Sequence, residues 1–324
     1  MKFNINIGII GFGSIGIKHY QIIKKNFRNT KVFIFSSKKT KKKYFFNNLE
    51  NFLKNKLDLV LICSPANTHI NYAKKILKKK INIFIEKPLS SKAIDRKSYK
   101  FLKKNKKRID IGYVFKHDLN AQYIKKIIEE KKFGEIIYSK IICKTFFPNW
   151  RNKNYKRTVT AQRKLGGGAL NEVSHEIHYA NWFFGPFKEV ESNLSNSNKL
   201  KINVEDQVRT TFYTNKNFIV DIHIDIGDKL FKKKDHRTCT IIFEKSTIHW
   251  DLVKNSIFIC NHKKYKKLKK NYINKFVNQM KNILNKIRGK SNYTTVPFKE
   301  AYEVHRLIKL VRISSLRKKK IAVK

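Results

Sequence analysis

The sequence predicts an α/β protein. An N-terminal, doubly wound parallel sheet of the Rossmann type precedes an α+β domain with a large, mostly antiparallel open sheet. Three observations lead there. Short apolar runs alternate with helical patterns up to about residue 115. A glycine-rich turn, "GFGSIG", joins the first run to the first helical pattern. Beyond it, strands with period-two alternation follow one another through short turns.

Each element can be justified in order. "NINIGIIGF" is apolar on both faces and reads as a buried strand, with a helix over residues 14–26 directly behind it. "KVFIFSS" and "LDLVLICSP" are the next strands, the latter followed by a helix over about 68–79. "INIFIEKP", a helix reaching about Asn105 and "RIDIGYVF" complete the series. Doubly apolar strands separated by helices indicate a parallel sheet covered on both sides. The pattern then changes. A helix over 120–131 ends at Gly134, "EIIYSKIICKTFF" is a long strand, and a helix over about 168–184 closes at Gly185 and Pro186. "QVRTTFYT", "NFIVDIHIDI", "TCTIIF", "TIHWDL" and "SIFIC" follow as strands. In the second of these, Phe218, Val220, Ile222, Ile224 and Ile226 share one face, and Asp221, His223 and Asp225 the other. Helices near 272–286 and 298–317 close the chain. A length of 324 residues suits two ordinary domains, divided here as 1–117 and 118–324.

The charge needs its own account. Lys and Arg number 73 against 23 Asp and Glu, a formal net charge of +50. The excess is mostly Lys, and it runs along the whole chain ("KKTKKK", "KKILKKK", "KKNKKR") instead of gathering in one arm. That pattern reads as a solvated coat. No nucleic-acid reader motif accompanies it, so a nucleic-acid partner is not expected. The coat would still attract anionic small molecules at low salt. Cys63, Cys143, Cys239 and Cys260 show no C-x-x-C spacing, so zinc or redox pairing is not indicated, and free thiols in a reducing compartment are expected. No apolar run reaches the roughly 18 residues of a membrane span. The N-terminus lacks a small-x-small cleavage site, and a cytoplasmic protein without membrane contact is expected.

Gly11–Gly16 form a G-x-G-x-x-G that follows a strand and opens a helix, the context a dinucleotide fingerprint requires. Gly11 would make the tight turn, Gly13 would admit a pyrophosphate, and Gly16 would allow close helix–strand packing. Ser14 and Ile15 begin the helix, whose free amides and positive dipole end favour an anion. Past the second strand an NAD site usually has a carboxylate on the ribose. This chain has Ser36, Ser37, Lys38 and Lys39 there, hydroxyls and ammonium groups that suit a 2′-phosphate. The cofactor is therefore NADP or NAD, with the balance towards NADP.

"GFGSIGIKH", "DLVLICSPANTHINYA" and "FIEKPLS", in this order and spacing, resemble the glucose–fructose oxidoreductase / inositol dehydrogenase (Gfo/Idh/MocA) family of NAD(P)-dependent oxidoreductases. The similarity continues through "FFPNWRNKNYKRTVTAQRKLGGGALNEVSHEIHYANWFFG" to the closing helix and covers essentially the whole chain. It implies hydride transfer at a hydroxyl or keto carbon of a sugar, cyclitol or nucleotide-activated sugar, and a homo-oligomer formed through the antiparallel sheet. It places Lys87 beside the nicotinamide and the reacting oxygen, with His175 as acid/base. It also implies that Ser64, Pro65, Asn67 and His69 line the cofactor path. Glu86 would touch the ribose or orient Lys87, and Trp150 and Arg151 would reach towards the nicotinamide end. Many relatives have Asp where this chain has His178, three residues past His175, which bears on the proton relay. A cofactor-sensing regulatory or scaffold protein on the same fold is the alternative.

The chemistry suits those residue types. The cofactor handles the hydride, leaving the protein a proton and an alkoxide-like charge. A lysine can stabilise that charge, and a histidine titrates near neutrality. Glu172, His175 and His178 stand at i, i+3 and i+6, on one side of a helix. Such a trio could ligate a metal, but no other cluster supplies ligands and none is expected. Tyr155, Arg157 and Arg163 lie in the loop before it and are candidates for a phosphate or carboxylate on the substrate.

Overall fold

The computed structural model describes residues 4–37, 43–150, 154–261, 264–268, 274–290 and 293–323. Lys38, Lys39 and Arg151, expected at the cofactor, lie outside them. Met1–His117 with Asn274–Tyr302 make one compact unit, and Asp118–Ile273 with Glu303–Lys324 the other.

The first unit runs β1 (Ile5–Ile10), α1 (Ser14–Asn26), β2 (Thr30–Phe35), β3 (Phe45–Phe46), α2 (Leu49–Leu53), β4 (Leu59–Ile62), α3 (His69–Lys78), β5 (Asn82–Ile85), α4 (Arg96–Lys104) and β6 (Ile109–Ile111). Its sheet has the order β3-β2-β1-β4-β5-β6, every pair parallel. Ile7, Ile9, every residue of β4 and Ile83–Ile85 are wholly buried, as strands covered on both faces must be. Strand order reverses between β1 and β4, and a doubly wound sheet binds its ligand at the carboxyl ends beside such a switch.

The second unit contains α5 (Leu119–Glu129), β7 (Ile136–Lys144), α6 (Ala169–Glu172), α7 (Ser174–Phe184), β8 (Phe187–Ser195), β9 (Gln207–Thr214), β10 (Ile219–Asp225), β11 (His236–Phe243), β12 (Thr247–Asp251), β13 (Ser256–Asn261) and β14 (Lys264–Leu268). The chain then adds α8 (Lys275–Ile287) to the first unit, and continues through α9 (Phe298–Arg317) to β15 (Ile321–Ala322). The second sheet has the order β14-β13-β12-β11-β7-β10-β9-β8-β15. It is antiparallel except where β7 and β10 pair in parallel. Phe218, Val220, Ile222, Ile224 and Ile226 are all buried, as the alternation predicts. Tyr179 of α7 meets the buried Trp250 of β12 edge-on, at 5.6 Å between ring centroids. The other face is half-buried and polar. Asp221 accepts hydrogen bonds there from Tyr138 and Thr211, at 2.9 and 2.6 Å.

Two differences from the sequence reading have physical causes. The sequence reading places residues 274–302 in the second domain, but they pack with the first. Met280, Ile283 and Leu284 of α8 are buried in one cluster with Ile5, Ile7, Ile9 and Ile34. The helix expected over 168–184 is two helices, because Val173 (φ −102°, ψ 26°) leaves helical geometry between them. The start of α6 is held separately, with the Ala169 amide on the Glu205 carbonyl at 2.9 Å. Among the described residues, no helix is long and apolar enough to cross a membrane.

Candidate active site

In the first unit, the glycine turn is dictated by backbone geometry. Gly11 has φ +90°, and its amide donates to the Phe35 carbonyl at 2.9 Å. A Cβ on it would lie 2.7 Å from the Ser64 amide nitrogen. A Cβ on Gly16 would overlap the Gly11 carbonyl oxygen. Those two glycines serve packing, and Gly13 is different. It has φ −83°, and a Cβ there would meet nothing within 4 Å. Gly13 is the N-cap of α1 and has no side chain to satisfy the first-turn amides, among them Ser14 and Ile15, and no acidic residue lies in that turn. Open space in front of unconsumed N–H groups and the positive end of a helix suits a pyrophosphate. Ser36 is buried, with its amide on the Phe46 carbonyl at 3.0 Å, and Ser37 is exposed.

The turn after β5 is tied down from two sides. His69 places Nε2 2.8 Å from the Ser64 carbonyl and Nδ1 3.0 Å from that of Pro88, joining the exit of β4 to the exit of β5. Ser64 Oγ and Thr68 Oγ1 lie 2.7 Å apart, and Thr68 donates to the Pro65 carbonyl. On the other side, Glu86 is 6% exposed, and its Oε2 accepts the Lys87 amide at 3.1 Å. Its Oε1 lies 2.6 Å from Nε2 of the fully buried His19 on α1. A Cβ on Gly112 would approach Glu86 Oε2 to 2.9 Å, so that glycine makes room for the carboxylate. Lys87 is half-buried, Asn67 likewise, and Lys92 is exposed. Gly11, Ser64, His69, Glu86 and Lys87 thus form one connected group. Burial, and next the Glu86 charge, pushes the Cys63 thiol well above its ordinary value, so no thiolate nucleophile is offered there.

The second unit holds the histidines. Gly166 and Gly168 have φ +86° and +107°, and a Cβ on Gly167 would collide with the Thr160 and Val159 carbonyls. The triple glycine therefore has a conformational cause at each position. Thr160 receives the Gly168 amide at 2.9 Å and donates its hydroxyl to Glu172 at 2.6 Å. The next carboxylate, Glu176, is wholly buried and accepts two bonds from Arg237 of β11, at 2.5 and 2.9 Å. Burial opposes the Arg237 charge, but Glu176 more than offsets it and holds the guanidinium pKa above its ordinary value. His175, between these carboxylates, is half-buried. His178, expected at the substrate, is fully buried within α7. Trp150 donates to Thr145 at 2.8 Å, and the Tyr155 hydroxyl donates to the Leu200 carbonyl at 3.0 Å. The side chains of Arg157 and Arg163 are exposed. Among the described residues, no three His, Cys, Asp or Glu side chains converge as a metal site.

Reading the sequence missed His19, Thr160, Glu176, Glu205 and Arg237. Only His19 left a usable signal. It is the one titratable residue on the buried stripe Gly16, His19, Ile22, Ile23 of α1.

Comparisons with known proteins agree with this fold. Levoglucosan dehydrogenase, solved with NADH and levoglucosan, superposes with a TM-score of 0.86 at 15% identity, covering 99% of this chain and 100% of that one. The WlbA dehydrogenase of Bordetella pertussis, solved with NADH and UDP-GlcNAcA, gives 0.81 at 18% identity, with 99% and 98% covered. A curated relative, Oxidoreductase P35 of Formosa agariphila, is 24% identical over 217 residues, which is 62% of this chain and 67% of that protein. Residues 5–113 match the Gfo/Idh/MocA model, described as an oxidoreductase family with an NAD-binding Rossmann fold, and residues 121–249 match the Gfo/Idh/MocA C-terminal domain. The chain belongs to the Gfo/Idh/MocA family of NAD-binding Rossmann-fold oxidoreductases.

Proposed function

We propose that the protein is an NAD(P)-dependent dehydrogenase or reductase acting on a CH–OH or keto carbon of a sugar, cyclitol or nucleotide-activated sugar. The observation that carries this reading is the Lys87 turn. It is tied at both ends at the carboxyl edge of β5, two strands from the glycine turn. When bound, the nicotinamide supplies or accepts the hydride. Lys87 donates a hydrogen bond to the substrate oxygen as its charge develops. His175 is the candidate acid/base for the proton. The open space at Gly13 and the Ser14 and Ile15 amides hold the pyrophosphate. Ser36 and Ser37 stand where a carboxylate would repel a 2′-phosphate, so both NAD and NADP are admitted. The sugar class draws support from the similar structures solved with levoglucosan and UDP-GlcNAcA.

The exposed Arg157 and Arg163 and the net charge of +50 favour an anionic sugar. The half-buried polar face of the second sheet favours a homo-oligomer, which light scattering would size. Four free cysteines suit a reducing cytoplasm. The deciding experiment screens both cofactors over neutral, phosphorylated and nucleotide-linked sugars, with Lys87→Ala alongside. Turnover should fall about 10²–10³-fold in Lys87→Ala while cofactor binding persists. A wild type that binds cofactor but turns over none of these substrates would replace this reading with a cofactor-sensing one.

A further inference from the structure

We propose that His19 is a positioning residue for Lys87, acting through the buried carboxylate of Glu86. The proposal rests on the reading of Lys87 as the residue at the reacting oxygen, and it names what sets that residue's place.

The geometry is a relay of three groups. A carboxylate only accepts, so the 2.6 Å contact between His19 Nε2 and Glu86 Oε1 is a donation from the ring. The second carboxylate oxygen accepts the backbone amide of Lys87 at 3.1 Å. Glu86 and Lys87 are adjacent, so this bond folds the carboxylate back over the peptide that leads into Lys87. It thereby fixes the backbone amide of Lys87, just past the end of β5, from which the side chain departs. Three features hold the carboxylate in that pose. The Glu86 amide is fixed on the Ile62 carbonyl at 2.9 Å, and Gly112 leaves the space the carboxylate fills. His19 itself is wholly buried, its ring edge-on to Phe84 with centroids 5.3 Å apart. The Nδ1 atom of His19 has no hydrogen-bond partner among the described residues, so Nε2 is the only polar tie the ring has there. A histidine used merely to fill space on an apolar helix stripe would be poorly chosen, because a buried unbonded ring nitrogen is costly. Its place is that of the donor a buried carboxylate requires.

The consequence reaches the glycine turn as well. His19 lies on α1, whose first residues face the expected pyrophosphate, and Glu86 lies at the end of β5. One hydrogen bond therefore links the helix that would hold the cofactor to the turn that presents Lys87, and neither His19 nor Glu86 needs to touch a ligand.

The test uses the full-length protein and does not depend on knowing the substrate. Each lysine is labelled competitively with acetic anhydride, with and without NADH, and quantified by peptide mass spectrometry. In His19→Phe the donor is lost, and Lys87 labelling should change about threefold or more while Lys24 and Lys92 hold at wild-type rates. His19→Gln restores a donor of similar reach and should return Lys87 labelling to wild type. Should His19→Phe fail to fold, Glu86→Gln serves instead. His19 and the Lys87 amide bond different oxygens of Glu86, and the side-chain amide of the variant replaces one of those oxygens with an NH2 that cannot accept, so Lys87 labelling should again change. Where a substrate is in hand, His19→Phe should lower kcat about 10- to 100-fold with cofactor affinity nearly unchanged. Wild-type Lys87 labelling in a folded His19→Phe and in Glu86→Gln would overturn the proposal. Turnover that survives Lys87→Ala would instead overturn the catalytic reading of Lys87, while the labelling still decides whether His19 positions it.

Discussion

The backbone turns of the first unit and helix α7 of the second are held in opposite ways. In the first, position is set by what is missing: Gly11, Gly16 and Gly112 let backbone and a carboxylate approach where any Cβ would intrude. In the second, the helix bearing His175 is anchored by what is added, an Arg237–Glu176 ion pair with the carboxylate wholly buried. Close approach through glycine needs no charged partner and is insensitive to salt. A buried ion pair joins residues far apart in sequence, and its stability depends on both partners being present. The first scheme should fail gradually when perturbed and the second abruptly.

The sharpest way to break this contrast is Arg237→Ala. It strands the Glu176 charge, and the second unit should lose about 3–5 kcal/mol. Trp150, Trp182 and Trp250 all lie in the second unit, so tryptophan emission during denaturant unfolding isolates its transition. Replacing both partners with methionine should recover most of that loss. A full-size loss in the double variant would mean that packing, not the stranded charge, was responsible. A smaller effect is expected in the glycine turn. Gly11→Ala meets both a positive φ and the Ser64 backbone, and should cost about 1–3 kcal/mol. Gly13→Ala should leave the unfolding midpoint almost unmoved yet weaken NAD(H) binding, measured by titrating cofactor fluorescence. Equal losses of stability in the two variants would erase the distinction drawn between them.

The smallest effect is a pH dependence. A neutral imidazole can donate to only one of the two carbonyls that His69 faces. Burial lowers the His69 pKa from the ordinary value of 6.5, against weaker upward pulls from the Ser64 and Pro88 carbonyls. The unfolded chain then binds the proton more readily. The stability linked to this residue is fully present above pH 6.5 and is lost as pH falls through the folded-state value. Thermal midpoints between pH 7.5 and 5 should decline less steeply in His69→Asn than in wild type.

Much of the fold was legible because it is written in local periodicity. The helix over residues 14–26 and the strand "QVRTTFYT" match the observed α1 and β9 end to end. The alternation in "NFIVDIHIDI" names the buried face correctly. What escaped had no local signature. In β8, Phe187 and Val190 stand three apart, out of phase, and the rest is mostly polar, so no period-two pattern announces the strand. The Glu176–Arg237 pair spans 61 residues, and only the pairing of β11 with β7 and the packing of α7 bring it together. Glu205 caps the triple-glycine segment, which precedes it by more than thirty residues. The glycine turn and the E-K-P turn were legible because their requirements are backbone requirements. The histidine side depends on tertiary partners, which composition and spacing do not encode.

The return of α8 to the first unit bears on the order of events at the ribosome. The cluster around Ile5, Ile7 and Ile9 is completed by Met280, Ile283 and Leu284, made after every strand of both sheets except β15. The first strands to emerge therefore leave apolar surface uncovered throughout the synthesis of the second unit. Domain-by-domain folding during translation is the general expectation. Here the earliest domain must wait for nearly the last helix, and a chain cut short after the second sheet would expose the core on which the glycine turn rests.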